Sequence, residues 1–144
     1  RELTLDRPMH TLRLLPGTGS YHGDLALFHV RRTNKLVYCP SAFDAASVRI
    51  IESLDCDRWP VSRAFMQPNP NDPSDPRSPA CNFPLNAADL GDTIVMPWDR
   101  PMVYFPRGLR EWLTEGGVTL RTLDFSEFGK SGAGVKCVTL VLEE

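Results

Sequence analysis

The 144-residue sequence has little of what marks the common specialised classes of protein. It contains no run of Lys or Arg, and 16 basic residues against 18 acidic ones leave a formal net charge of −2. Such a balance gives no footprint for nucleic acid or an anionic membrane surface, so the expected partner is a small molecule or a protein. No stretch approaches the roughly 18 consecutive apolar residues of a membrane helix. None of the four cysteines, at 39, 56, 81 and 137, has a second cysteine at C-x-x-C spacing or a His at zinc-finger spacing. A structural metal is therefore not expected, and a reduced, cytoplasmic setting fits better than a secreted disulfide framework. An initiating Met and a charged-then-apolar leader are missing as well, since the chain opens Arg1-Glu2-Leu3, which leads us to expect a processed or excised piece. What is present, 42% hydrophobic residues, suffices for one core spanning residues 1–144 but not for two ordinary domains.

Along the chain, Tyr21 to Val30 is an apolar-rich run of strand length, Arg31-Arg32-Thr33-Asn34-Lys35 is a polar turn, and Leu36-Val37-Tyr38-Cys39 is a second strand. Asp44 then stands where it caps a helix in which Ala45, Val48 and Ile51 recur at helical spacing, ending near Asp55. From Gln67 to Pro79 five prolines alternate with Asn, Asp and Ser, a composition for a long loop and not for helix or ladder. Beyond it the pattern returns. Cys81-Asn82-Phe83 leads to a turn at 88–92 and a strand through Met96; Arg107 to Leu113 is a short helix with Leu109, Trp112 and Leu113 on one face; Gly116-Gly117 stops it; and Val118 to Leu123 is a strand. Two successive ββαβ units are expected, at about 21–63 and 81–123, a degenerate repeat of about 60 residues.

In the tail, a glycine-rich stretch, Gly129-Lys130-Ser131-Gly132-Ala133-Gly134, runs into Val135-Lys136-Cys137 and a β-branched run, Val138-Thr139-Leu140-Val141-Leu142. Residues 124–144 are thus expected to form a strand carrying a thiol at the point where a small-residue loop enters it. Small residues there let a ligand approach the backbone closely, and free N–H groups favour a thiolate.

Three motifs in order, Tyr-His-Gly-Asp-Leu-Ala-Leu-Phe at 21–28, Ala-Cys-Asn leading to Leu-Gly-Asp-Thr-Ile-Val-Met at 80–96, and Gly-Ala-Gly-Val-Lys-Cys-Val-Thr-Leu at 132–140, resemble the C-terminal part of the guanidine-modifying superfamily. That group comprises amidinotransferases, arginine and agmatine deiminases, and dimethylarginine dimethylaminohydrolases. The resemblance covers the chain from about residue 10 onward. It implies an α/β fold, the last two to two-and-a-half ββαβ modules of a pseudo-fivefold α/β propeller, with a His-x-Asp motif and a nucleophilic Cys after a glycine-rich loop. Ser131-Gly132-Ala133-Gly134 stands for the glycine run of many relatives, a narrower loop that bears on which guanidine fits. The family's Asp-Gly-Gly-Asp-like motif has no match in residues 1–20. The resemblance therefore implies that the first modules lie on a second chain or in an N-terminal fragment upstream of Arg1.

The residue types suit the chemistry. A guanidinium carbon is a poor electrophile, so a thiolate is needed to attack it, and the departing amine must be protonated as the adduct collapses. Cys137 is the candidate nucleophile and His22 the proton shuttle. Asp24, two positions on along an expected strand, faces the same side as His22 and offers a carboxylate for the guanidinium fork, with Gly132 and Gly134 admitting substrate. His29 falls on the opposite face by strand parity. His10 is expected in a loop, and Cys39, Cys56 and Cys81 are expected to be structural. The leading expectation is a cysteine-dependent hydrolase of an arginine-like guanidine, without metal or organic cofactor. An amidinotransferase using the same nucleophile, a non-catalytic arginine-binding scaffold, and a cysteine hydrolase of amides are the alternatives.

Overall fold

The computed structural model describes residues 9–17, 20, 22–66, 84–98, 105–125 and 134–138. Its strands form two three-stranded sheets of the same construction. In the first, β1 (Leu27–Val30) pairs antiparallel with β2 (Lys35–Tyr38), Leu27 opposite Tyr38 and Val30 opposite Lys35. The reversal is a 3-10 turn over Arg31–Thr33 closed by Asn34, whose φ of 50° lies in the left-handed region that Asn tolerates. Helix α1 (Ala45–Ser53) then carries the chain to β3 (Asp57–Pro60), parallel to β2 with Lys35 opposite Asp57. The short helix α2 (Arg63–Met66) follows. In the second sheet, β4 (Ala88–Asp89) pairs antiparallel with β5 (Thr93–Pro97), and helix α3 (Arg107–Thr114) leads to β6 (Thr119–Leu123), parallel to β5. The order strand, strand, helix, strand thus occurs twice. β2 and β5 are the central strands, so all four residues of β2 are buried, as are Ile94, Met96 and Pro97 of β5.

The helices form where local chemistry and apolar spacing agree. Asp44 caps α1 by accepting the Ser47 amide at 2.8 Å, and that bond holds its carboxyl below the usual carboxylate range. Ile51 is fully buried and Val48 packs beside it. The Ser47 hydroxyl in turn accepts the Arg13 amide at 2.7 Å, and a bridge between Leu14 and Phe43 fastens the segment before the first sheet. In α3, Leu109 and Leu113 are fully buried and Trp112 partly so, one stripe at i, i+3, i+4. The helix gives way to a 3-10 turn in which Gly116 has φ 72°, and a Cβ added there would stand 3.0 Å from the Thr33 methyl.

The two sheets share one core and are also joined by polar contacts. The Lys35 ammonium, on a side chain only 4% exposed, donates to Glu115 Oε2 at 2.6 Å and to the Trp112 carbonyl, and sits 4.7 Å from the centre of the Trp112 ring. Trp112 also meets Trp59 at 5.6 Å between ring centres, while Phe65, Trp98 and Phe105 form a second aromatic cluster. Asp89 of β4 accepts the Arg31 amide at 2.9 Å and the Arg31 Nε at 3.3 Å on one oxygen, and the Gly91 amide at 2.9 Å on the other. Burial pushes this carboxyl up, but the Arg31 and Gly91 amides and the Arg31 guanidinium outweigh it and leave Asp89 below its usual range.

Two expectations are corrected. The run from Tyr21 is not one strand: β1 begins at Leu27, and Gly23–Leu25 form a 3-10 turn, with the Leu25 amide donating to the His22 carbonyl at 3.1 Å and the Ala26 amide to that of Gly23 at 2.9 Å. Gly and Asp are poor strand formers and good turn formers, and here that local preference overrides the apolar run. Nor does Cys137 open a strand. Residues Val135–Val138 form a helical turn, α4, because the Lys136 and Cys137 amides are taken by Asn86 and not by a neighbouring strand. The proline-rich segment 67–79, Cys81, Gly132 and the run 139–142 lie outside the described residues.

Candidate active site

The residues singled out by chemistry come from two distant stretches of chain, and a third stretch joins them. His22 is an exposed residue entering the 3-10 turn, and Asp24 is the partly buried middle residue of that turn. Both stand at a turn and not on a strand, so strand parity does not set the direction of either side chain. Cys137 lies 113 to 115 positions later on α4, where its residue is exposed.

Asn86 bridges them. It is fully buried, in a segment whose neighbours Pro84, Leu85, Ala87 and Ala88 are buried as well. Its Nδ2 donates to Asp24 Oδ2 at 3.0 Å, its Oδ1 accepts the Cys137 amide at 3.1 Å, and its main-chain oxygen accepts the Lys136 amide at 3.1 Å. The orientation of the side-chain amide follows from its partners. A backbone N–H can only donate, so the oxygen faces Cys137 and the NH2 must face Asp24, which therefore serves as acceptor. Gly134 completes the packing: a Cβ added there would lie 2.6 Å from Asn86 Oδ1 and 2.7 Å from Asn86 Cβ, so only glycine lets the loop come this close. Gly134 was expected to admit substrate; in the structure the space beside it is filled by Asn86.

Asn86 was missed by the sequence reading, yet a signal was there. An amide within Phe83-Pro84-Leu85-Asn86-Ala87-Ala88 is bound for the interior, and an interior amide must find partners. Three other residues weighed in the sequence have different surroundings. His29 is exposed and hydrogen-bonds Asn34 at 3.1 Å, His10 is exposed, and Cys39 is buried with its sulfur 3.3 Å from the Ser41 hydroxyl. Among the described residues, no three of His, Cys, Asp and Glu converge as metal ligands, and no helix is long and apolar enough to cross a membrane.

No family model matches the chain. It is 33% identical over 140 residues to the bifunctional arginine dihydrolase/ornithine cyclodeaminase ArgZ of Synechocystis sp., across 97% of this chain and 17% of ArgZ. Two solved structures of the N-terminal domain of ArgZ resemble it at 32% identity across 94% of this chain. The product-bound form has a TM-score of 0.67 and is covered over 42% of its length. A variant covalently bonded to a reaction intermediate has a TM-score of 0.68 and is covered over 43%. The chain thus spans less than half of even that isolated domain.

Proposed function

We propose that this chain, which is similar to ArgZ of the guanidine-modifying superfamily over 97% of its length, carries the nucleophile of a cysteine-dependent hydrolase acting on an arginine-like guanidine. The Sγ of Cys137 forms a bond to the guanidinium carbon. The tetrahedral adduct collapses with cleavage of a C–N bond, and the nitrogen leaves with a proton given by His22. His22 then takes a proton from water as its oxygen attacks the same carbon, the C–S bond breaks and the thiolate returns. Asp24 pairs with the cationic guanidinium and fixes the carbon before the thiol. No metal or organic cofactor enters this scheme, and the chemistry suits the cytoplasm, where thiols stay reduced.

The observation that carries the proposal is the single buried side chain tying the Asp24 carboxylate to the main chain of Cys137. It unites the two motifs that the chemistry needs, from opposite ends of the sequence. Support also comes from ArgZ, whose N-terminal domain is solved with a covalent intermediate. We further infer that the two ββαβ units belong to a five-module propeller and that modules from an N-terminal half complete the site, in keeping with the 43% of that domain that the chain spans.

Turnover of L-arginine, followed as ammonia release by the protein together with the N-terminal half that completes its site, tests the proposal. Cys137→Ser is expected to abolish release and His22→Ala to reduce kcat by about 100-fold or more, while Asp24→Asn raises KM. Release that survives Cys137→Ser overturns the assignment, and no release from the unaltered protein favours the non-catalytic scaffold.

A further inference from the structure

We propose that Asn86 is a positioning residue: it aims the Asp24 carboxylate at the cation and fixes the turn that presents Cys137, so that cation recognition and nucleophile share one mechanical support. This rests on the reading of Cys137 and Asp24 given above. Three features separate Asn86 from an ordinary core amide. Both ends of its side chain are used, and each on a different functional stretch, Nδ2 on Asp24 and Oδ1 on the Cys137 amide. Its main-chain oxygen holds the preceding residue of the same turn, Lys136. It is fully buried and Gly134 packs on it without room for a methyl group, so the amide has no freedom to turn away.

The consequence is directional. The donor-only Cys137 amide sets which way the Asn86 amide points, which commits one lone pair of Asp24 Oδ2 to Asn86 and leaves Oδ1 for the ligand. A carboxylate held by one fixed bond loses less freedom when the guanidinium fork arrives. Removing Asn86 should therefore weaken recognition of the cation specifically, beyond any loosening of the fold.

Two alkylating reagents read this out at Cys137, whatever the turnover of the protein: a haloacetamidine, cationic and planar like a guanidinium, and the neutral haloacetamide. The ratio of their labelling rates at Cys137, from peptide mass spectrometry, measures recognition by Asp24, since general exposure of the thiol moves both rates together. The unaltered protein should favour the amidine. Asn86→Ala should lower the ratio about ten-fold, the scale of a lost hydrogen bond to a charged group. In an Asp24→Asn background, adding Asn86→Ala should lower it no further, because the effect runs through Asp24. Gly134→Ala, which leaves every polar group in place and only displaces Asn86, should shift the ratio in the same direction and serves if Asn86→Ala does not fold. An unchanged ratio in folded Asn86→Ala or Gly134→Ala, or an equal loss with and without Asp24, overturns the positioning role. If the unaltered protein shows no preference for the amidine, the guanidine reading itself falls, and the proposal with it.

Discussion

Burial of Asn86 places strict demands on the residues it touches. Asp24→Ala leaves Asn86 Nδ2 without its acceptor in a fully buried place, whereas Asp24→Asn keeps an oxygen in reach. Asp24→Ala is accordingly expected to be less stable than Asp24→Asn by about 1–2 kcal/mol, read from urea denaturation midpoints at equal m-values. The opposite order, or none, would show that this bond does not hold in solution. His22, Asp24 and Cys137 stand out in the sequence because their residue types fit the chemistry and their motifs stand in order. Asn86 does not, since its hydrogen bonds go to partners 62 and 51 positions away in the chain, and nothing local declares which polar groups a buried amide will meet.

At the scale of elements, the best-read parts are those in which local and tertiary forces agree. Helix α1 starts at its Asp44 cap and α3 buries the Leu109–Leu113 stripe that its spacing required. The departures occur where they disagree: the Gly23-Asp24 pair breaks an apolar run into a turn, and Val135–Val138 form the helical turn α4 where Asn86 takes the Lys136 and Cys137 amides. In α3, Leu113→Ala removes a fully buried side chain, and a loss of about 3 kcal/mol is expected, measured by chemical denaturation. Gly116→Ala should also destabilise, through its φ of 72° and the Thr33 methyl 3.0 Å away. A loss under about 0.5 kcal/mol for either substitution would mean that α3 is not packed as described. The buried Lys35 behaves differently. Lys35→Met keeps the stem against Trp112 and leaves Glu115, itself 68% exposed, to water, but takes the donor from the Trp112 carbonyl, so a loss of about 1 kcal/mol is expected by chemical denaturation.

For the molecule as a whole, the contact between the two sheets is acid-sensitive. The Asp89 carboxyl is held below its usual range, so its contribution is present above the unfolded value of about 3.9 and is lost as pH falls through the lower folded value. Unfolding free energy should therefore fall more steeply as pH drops below about 4 in the unaltered protein than in Asp89→Asn, which is already weaker at pH 7; parallel profiles would remove Asp89 from that role. This contact, the buried Lys35 and the shared aromatic cluster make the two ββαβ units one framework, and the framework sets Asp24 against the turn of Cys137 through Asn86. The central claim is that this arrangement delivers the Cys137 thiolate to a guanidinium carbon. Its most direct test is acid quenching of the protein, together with the N-terminal half that completes its site, during incubation with L-arginine, followed by peptide mass mapping. The account predicts a covalent adduct on the peptide bearing Cys137 and none on those bearing Cys39, Cys56 or Cys81, with the signal lost in Cys137→Ser. An adduct on another cysteine, or arginine turnover that proceeds with Cys137 unmodified, would contradict it.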